Sequence, residues 1–257
     1  MGSPLYVKEF KGKKALITGG SRGIGKAIAL ELASNGVDCV INYLRNEEAA
    51  NEVKKALEEK GVKAHLVQGN VGDADEIKKL IQETSDFFGG TLDIFVHNAA
   101  LGAFKPVLDL KPNQWDMSFN INVKALYLAA KQLVPMMEGR NSKILSISSL
   151  GSISYIPDYG AIGISKAAME NLIRYLAVEL APKKIRVNAV SGGPIDTDAL
   201  KMFPKYDQMV EDCLRRTPAG RLGAPEDIAK VIAFLCSEQS SWIVGQTLIA
   251  DGGMSLF

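Results

Sequence analysis

The chain has 257 residues, with 30 basic and 29 acidic side chains and a formal net charge of +1 at pH 7. This near balance gives no electrostatic reason to expect binding to nucleic acid or to a membrane surface. No apolar run approaches the roughly 18 residues that a membrane-spanning helix needs. Residues 1–10 lack a signal-peptide pattern, and the three cysteines have no metal or disulfide spacing. We therefore expect a soluble, cytoplasmic protein.

Short apolar runs alternate with amphipathic helical stretches along the chain. Runs without polar alternation are typical of parallel strands that are covered on both faces. The predicted strands are Lys14–Thr18, Cys39–Tyr43, Ala64–Gly69, Leu92–His97, Lys143–Ser148, Arg186–Val190 and Thr247–Ala250. Helical patterns such as Glu47–Lys60 and Ala74–Phe88 lie between them. Repeated strand–helix units predict an α/β fold, a single doubly wound Rossmann-type domain with a seven-stranded parallel sheet flanked by helices.

The predicted elements also set the domain boundaries. Residues 1–11 form an N-terminal extension, and residues 12–257 form one Rossmann-type domain. A late region, about residues 192–218, contains Pro194, Pro204 and Pro218 and has no clear periodicity. Long irregular segments inside compact domains are usually functional. We expect this region to be a substrate-covering loop with short helices.

A glycine-rich turn joins the first predicted strand to the first predicted helix. Glycine permits a sharp turn and a close approach of phosphate to backbone N–H groups, and the helix N-terminus adds a favourable partial charge. The strand before the turn and the helix after it are the context that such a motif requires. The predicted phosphate-binding residues are Gly19, Ser21, Arg22, Gly23, Ile24 and Gly25.

The residues after the second strand choose between the two nicotinamide dinucleotides. An acid there accepts a hydrogen bond from the ribose of NAD, whereas cations are needed for the 2′-phosphate of NADP. No acid stands at this strand exit, Arg45 follows it, and Arg22 lies in the glycine turn. Two guanidinium groups bind one phosphate through charge-assisted hydrogen bonds. The predicted cofactor is NADPH.

The strongest catalytic candidates are Tyr159 and Lys166, which are seven positions apart. A lysine near a phenol favours the phenolate and so assists proton donation or oxyanion stabilisation. Together with the glycine turn, the pair resembles the short-chain dehydrogenase/reductase superfamily. Most members have a Tyr-x3-Lys pattern, which would place the tyrosine at Ile162. The wider spacing here resembles the enoyl-thioester reductases within the superfamily.

The resemblance implies roles for further residues. It implies catalytic functions for Tyr159, Lys166, Ser149 and Asn122, the asparagine being the helix-kinking residue that supports a water chain to the lysine. It implies cofactor contacts at Asn70, Val71, Asn98, Ala99, Lys166, Pro194, Ile195 and Thr197. His97 stands where relatives often have asparagine, so we interpret it as structural. With two histidines in the chain, we expect no metal site and no Ser-His triad.

The segment from Ser146 to Leu200 is similar to FabL-type NADPH-dependent enoyl-[acyl-carrier-protein] reductases, and the resemblance extends over residues 12–257. It implies reduction of the C2=C3 bond of trans-2-enoyl-[acyl-carrier-protein] thioesters in fatty acid elongation, with Tyr159 stabilising the enolate. It also implies a cytosolic homotetramer. The late-loop cations either receive an acidic carrier protein or are simply solvated; they are Lys201, Lys205, Arg215 and Arg216.

Two other functions stay open. A 3-ketoacyl-[acyl-carrier-protein] reductase, or another NADPH-dependent carbonyl reductase, would share the fold, the cofactor and Ser149, but would need a tyrosine at position 162. A non-catalytic NADPH-binding regulator is the alternative from another class, and the intact Asn122, Tyr159 and Lys166 argue against it. The sequence also leaves open whether Ser149 contacts the substrate oxygen and whether Tyr155 is only a packing residue.

Overall fold

The computed structural model of the protein describes residues 7–204 and 206–256. Within this part, seven strands form one parallel sheet with the order β3-β2-β1-β4-β5-β6-β7. The strands are β1 (Lys14–Ile17), β2 (Asp38–Tyr43), β3 (Ala64–Gln68), β4 (Ile94–His97), β5 (Ser142–Ser149), β6 (Ile185–Gly192) and β7 (Thr247–Ala250). The predicted fold class is confirmed.

Helices cover both faces of the sheet. They are α1 (Val7–Phe10), α2 (Gly23–Ser34), α3 (Glu47–Glu58), α4 (Ala74–Phe88), α5 (Pro112–Phe119), α6 (Ala125–Met137), α7 (Gly160–Leu180), α8 (Tyr206–Arg216) and α9 (Pro225–Cys236). α2, α3 and α9 share one hydrophobic core with the sheet, and α4, α6 and α7 share the other. In the described ranges, no helix is both long enough and apolar enough to cross a bilayer.

The unbroken apolar runs follow from this double covering. In β1, Ala15 and Ile17 belong to one core, whereas Leu16 between them belongs to the other. Successive side chains of a strand point to opposite faces, so a strand with helices on both sides is largely apolar along its whole length. The predicted strand limits agree with the structure to within a few residues. β5 and β6 extend further than their apolar runs, because Ser149 still pairs with Gly192.

The late region contains short helical segments, as the sequence predicts, and its role as a substrate cover remains a prediction. One short 3-10 turn spans Leu200–Met202, and α8 then runs for 11 residues. Lys205, one of the predicted carrier-facing cations, lies outside the described residues, as do residues 1–6 of the predicted N-terminal extension. Phe10 is buried in the core beneath α2 and α9, so packing begins before the predicted domain boundary at residue 12.

The strand order places a crevice at one edge of the sheet. The chain runs from β1 outward through β2 to β3 and then returns to add β4 on the other side of β1. In an open parallel sheet, ligands bind outside the carboxyl ends of the strands at such a reversal. The glycine turn after β1 and Asn98 after β4 therefore lie at the mouth of the crevice.

Candidate active site

Glycine is required at two positions of the turn after β1. Gly19 has φ of +62° and Gly23 has φ of +53°, in the left-handed region that suits glycine. A side chain at Gly25 would collide with the carbonyl oxygen of Gly19. The turn is held from below by Asn98, whose Nδ2 donates to the carbonyls of Thr18 (3.0 Å) and Gly19 (2.9 Å). These contacts form the close-packed cradle predicted for a phosphate group.

The second strand is tied to the same turn by a residue that the sequence analysis did not single out. Asn42 is buried near the end of β2. Its carbonyl accepts from the Gly20 N–H at 3.0 Å, and its Nδ2 donates to the Gly69 carbonyl at 2.9 Å. Its polarity within an apolar strand was the available signal. The hydrogen bonds of Asn42 hold the ends of β1 and β2 together. Arg22 and Arg45, both exposed, therefore lie at the same part of the crevice.

The predicted adenine-side residues lie at the end of β3. Asn70 Oδ1 accepts from the Gly72 N–H at 2.9 Å, and the Asn70 N–H donates to Glu76 at 2.6 Å. Val71 is buried against the core. Asn70 therefore shapes the turn in which it lies. Its contact with adenine remains a prediction.

The segment after β6 returns over the glycine turn. The Pro194 carbonyl accepts from the Gly223 N–H at 2.9 Å, and Ile195 is buried. A side chain built at Gly23 would lie 3.4 Å from Thr197 Cγ2. The segment after β6, which is predicted to contact the nicotinamide, thus meets the glycine turn, which is predicted to bind phosphate, at Thr197.

Asn122 lies in a π-helical segment, Asn120–Lys124, between α5 and α6. Its side chain exchanges two 3.1 Å hydrogen bonds with the backbone of Leu101 and donates to Ser165 Oγ at 2.8 Å. The amide thus ties the loop after β4 to α7. The helix is distorted at this asparagine, as the resemblance implies. Its part in a water chain remains a prediction.

Lys166 is 3% exposed, and its Nζ donates to the Ile147 carbonyl at 2.6 Å. Burial lowers its pKa to about 8, against the opposing effect of the Glu170 charge. His97 on β4 is also buried; burial and then the nearby Lys166 charge lower its pKa to about 3. A neutral His97 agrees with its interpretation as a structural residue.

Tyr159 lies at the N-cap of α7, immediately before the first helical residue. Asp158 precedes it with φ of +59°, and the Tyr159 carbonyl accepts from the Gly163 N–H at 2.8 Å. Burial raises the pKa of the Tyr159 phenol, while a hydrogen bond with Ser149 acts in the opposite direction. The structure thus brings together the two hydroxyl groups that the sequence placed ten positions apart.

The ring of Tyr159 is fixed on several sides. A Cβ at Gly151 would lie 2.6 Å from its ring. Phe203 stacks on it at 5.4 Å between centroids, and Phe104 lies 6.1 Å away. Neither phenylalanine was predicted as a site residue, because both lie in loops without periodicity. They join the late region to the reaction centre.

The position of the more usual tyrosine is occupied by Ile162. This side chain is 7% exposed, and a side chain at Gly102 would collide with it. It is therefore an apolar packing residue between α7 and the loop after β4. A hydroxyl-bearing side chain enters the site from Tyr159 instead.

A cavity of about 620 Å³ opens beside Tyr159. Its lining is largely apolar and includes Val107, Leu108, Ile156 and Ile164, with Tyr155 at the rim. Tyr155 is 88% exposed, whereas Ser149 and Tyr159 are only partly exposed. The cavity suits an apolar chain whose reactive end reaches Tyr159.

Two of the late-loop cations are paired with acidic residues of the same segment. Lys201 lies 3.7 Å from Asp198, and Arg215 lies 2.6 Å from Asp212. These exposed pairs are within one segment and contribute little to stability. The carrier-protein surface remains a prediction.

Residues 19–255 match a family model described as Enoyl-(Acyl carrier protein) reductase, and the fold and site above agree with it. The chain belongs to the short-chain dehydrogenase/reductase superfamily. It is an oxidoreductase of that superfamily. The predicted superfamily is confirmed.

The relatives include reductases of different acyl groups. The 1-cyclohexenylcarbonyl-CoA reductase of Streptomyces collinus is 41% identical over 244 residues, covering 94% of this chain and 86% of the relative. A Staphylococcus aureus 3-oxoacyl-[acyl-carrier-protein] reductase FabG is 36% identical over 243 residues, covering 94% and 98%. A Burkholderia cenocepacia short-chain dehydrogenase in complex with NADP is 32% identical with a TM-score of 0.89, covering 96% and 99%. These proteins support a reductase without singling out the FabL type.

Proposed function

We propose that the chain reduces the C2=C3 double bond of trans-2-enoyl thioesters with NADPH. The observation that carries this proposal is the position of the tyrosine at the start of α7. Ile162 is buried where a carbonyl reductase needs its tyrosine, and Tyr159 stands one turn earlier at the cavity. The family model's printed description and the unsaturated acyl thioester named for the Streptomyces relative agree with this reaction.

NADP(H) is the cofactor of the site. The cradle of Gly19, Gly23 and Gly25, with Thr197 facing it, fits a dinucleotide phosphate. Arg22 and Arg45 would bind the 2′-phosphate, and Lys166 would hold the nicotinamide ribose. When bound, NADPH supplies the hydride that C3 of the substrate accepts.

Tyr159 is proposed to act on the thioester oxygen. In ketone reduction the negative charge develops on the oxygen that is bonded directly to the carbon accepting the hydride. In enoyl reduction the hydride is accepted by C3, and the charge develops on the thioester oxygen, farther along the chain. A donor displaced along α7 suits the second case. Fixed hydrogen-bond donors aimed at a developing oxyanion are commonly the largest electrostatic contribution to catalysis. Ser149 supports the phenol, and the Lys166 ammonium favours its ionised form.

A second candidate is reduction of 3-ketoacyl thioesters. The Ser149–Tyr159 hydrogen bond favours it, because a serine beside the tyrosine also occurs in the carbonyl reductases that the sequence resembles. The FabG relatives are named as reductases of 3-oxoacyl thioesters. The comparisons therefore support this candidate better than they support enoyl reduction. The two candidates share the cofactor and differ in the position of the oxygen that Tyr159 must reach.

The carrier and the assembly are also proposals. We propose that the thioester is carried by an acyl carrier protein and that the enzyme is a homotetramer. Large apolar side chains on the outer surface support assembly: Tyr175 and Val178 on α7 are 65% and 76% exposed, and Trp242 is 97% exposed. Apolar surface of this kind commonly marks an interface. Light scattering at several concentrations would measure the oligomeric state.

The function is tested by NADPH oxidation with a trans-2-enoyl thioester and, in parallel, a 3-ketoacyl thioester. We expect turnover of the enoyl substrate and little of the ketoacyl substrate. Tyr159→Phe should lower kcat at least about 100-fold with NADPH affinity nearly unchanged, as for an interaction formed mainly in the transition state. Tyr127→Phe, on the outer side of α6, is the control. Strong ketoacyl reduction, or a fully active Tyr159→Phe, would reverse the assignment.

A further inference from the structure

A buried carboxylate lies one helical turn beyond Lys166. Glu170 is 5% exposed and accepts hydrogen bonds from Ser148 Oγ at 2.5 Å and Ser152 Oγ at 2.6 Å. Burying a carboxylate is costly unless its charge is compensated by several polar partners. An apolar residue would fill the same space without this cost. The carboxylate therefore calls for a role beyond packing.

Its two serine partners bracket one turn of the chain. Ser148 is near the end of β5, and Ser152 closes the short 3-10 turn Leu150–Ser152. The turn includes Gly151, whose N–H donates to Ser149 Oγ at 3.3 Å. Glu170 thus holds both ends of the segment that presents Ser149 to the phenol.

The same turn rests on α7 at two further points. A Cβ at Gly151 would lie 2.6 Å from the Tyr159 ring, and a Cβ at Gly163 would lie 2.5 Å from the Gly151 carbonyl oxygen. Tyr159, Gly163, Lys166 and Glu170 are spaced at i, i+4, i+7 and i+11, which is one face of a helix. One face of α7 and its N-cap therefore carries the phenol Tyr159, the lysine Lys166 and the carboxylate Glu170, which fixes the turn Leu150–Ser152.

We propose that Glu170 is a positioning residue that clamps the 148–152 segment onto α7 and thereby sets the reach of Ser149 and Tyr159. The clamp rests on the proposed function only in that Tyr159 is taken as the reacting phenol. The Glu170 charge also favours the ammonium form of Lys166. Lys166 interacts electrostatically with Glu170 on α7 and with His97 on β4, and His97 is neutral above its depressed pKa.

The variants Glu170→Gln and Ser152→Ala separate the charge from the hydrogen bonds. Glu170→Gln should lower kcat about 10- to 100-fold with NADPH affinity within about twofold of wild type, as expected when supporting groups no longer hold a catalytic geometry. It should also move the high-pH limb of kcat to lower pH, because loss of a negative charge favours neutral Lys166. Ser152→Ala should lower kcat without moving the limb.

Ser142→Ala is the matched control. Ser142 lies at the other end of β5, is fully buried, and donates to the carbonyls of Met137 (2.8 Å) and Leu92 (3.2 Å). Its loss should lower the melting temperature about as much as the loss of Ser152, with kcat unchanged. A Ser142→Ala enzyme with kcat reduced as in Ser152→Ala would overturn the clamp, since any loss of stability would then have the same effect.

Hydrogen exchange tests the clamp without substrate. In Glu170→Gln, exchange should increase over residues 149–153 and at the start of α7, with β1 and β2 unchanged. Unchanged exchange there, or wild-type kcat in Glu170→Gln, would reject the proposal. If the wild-type enzyme reduced neither thioester, the proposed function would fail, and the exchange pattern would still decide whether the clamp exists.

Discussion

At the scale of residues, one aliphatic side chain distinguishes this site from most of its superfamily. Ile162 packs against Gly102 with almost no exposure, so that position on α7 contributes no proton donor. Tyr159 replaces it from the N-cap and is held by Ser149, Gly151 and Phe203. The proposed chemistry depends on where this hydroxyl group lies relative to the cavity.

Arg45 should discriminate between the two nicotinamide cofactors. Arg45→Ala should weaken NADPH binding by about 1.5–3 kcal/mol, or about 10- to 150-fold, through loss of a charge-assisted phosphate contact. NADH binding should change little, and fluorescence titration would measure both. Lys60→Ala removes an exposed cation beyond the far end of α3 and is the control. Equal weakening of both cofactors would remove the 2′-phosphate role.

Lys166 should set the alkaline limit of turnover. Its pKa is lowered to about 8, chiefly by burial, so the ammonium form is present below that pH and is lost above it. We expect kcat to fall as pH rises through about 8, measured from pH 6 to 10 at saturating NADPH. Lys166→Arg, which stays charged over this range, should remove that limb even if its overall rate is lower. A limb that persists in Lys166→Arg would point to another group.

At the scale of elements, the start of α7 determines where the phenol stands. Helix geometry begins at Gly160, so Tyr159 projects from a non-helical cap after a left-handed Asp158. Aspartate tolerates this conformation better than most residues do. The backbone of Tyr159 also pairs with Lys105. The turn and this pairing give the cap a defined direction toward the cavity.

Asp158→Val should therefore damage catalysis. A β-branched residue is strained at positive φ by about 1–3 kcal/mol, and relief of that strain would move Tyr159. We expect kcat to fall at least about tenfold, while Asp158→Gly retains most activity. Asn141→Val supplies the same strain at φ of +54° on an exposed turn before β5. It should lower the melting temperature alone, and a matching loss of kcat there would contradict the local explanation.

At the scale of the whole molecule, the candidate active site and the contacts that anchor the strands lie at opposite ends of the strands. The carboxyl edge carries the site. At the amino edge, Asp93 accepts from Lys13 Nζ (3.2 Å), the Lys14 N–H (3.0 Å) and Arg140 (3.2 Å). These contacts join β1, β4 and the segment after α6. The buried Asp93 carboxylate thus fixes strands whose other ends hold the cofactor cradle.

Asp93→Asn should lower stability and leave catalysis intact. An amide loses the charge that three donors share, which should cost about 1–3 kcal/mol of unfolding free energy. Urea unfolding would measure this loss, with kcat within about twofold of wild type. Asp86→Asn, on an exposed turn of α4 with Gln82 as its partner, is the control. Normal stability in Asp93→Asn, or a kcat reduced well beyond twofold, would contradict the separation of anchoring from catalysis.

Much of the fold follows from local patterns. Apolar runs at β1 and β2 predict buried parallel strands because both faces must be covered, and the glycine turn predicts its own conformation because Gly19 and Gly23 need positive φ. The prolines of the late region predict a loop with short helices, and α8 is an 11-residue helix within it.

Residues close together in the chain were enough to predict the strands of the sheet, the glycine turn and the candidates Tyr159 and Lys166. The tertiary structure decided which groups are buried and what they touch. It brought Glu170 to Ser148, 22 positions away, made His97 neutral beside Lys166, and closed Phe203 over Tyr159. These contacts depend on how helices and loops pack across the sheet, and periodicity carries no record of that packing.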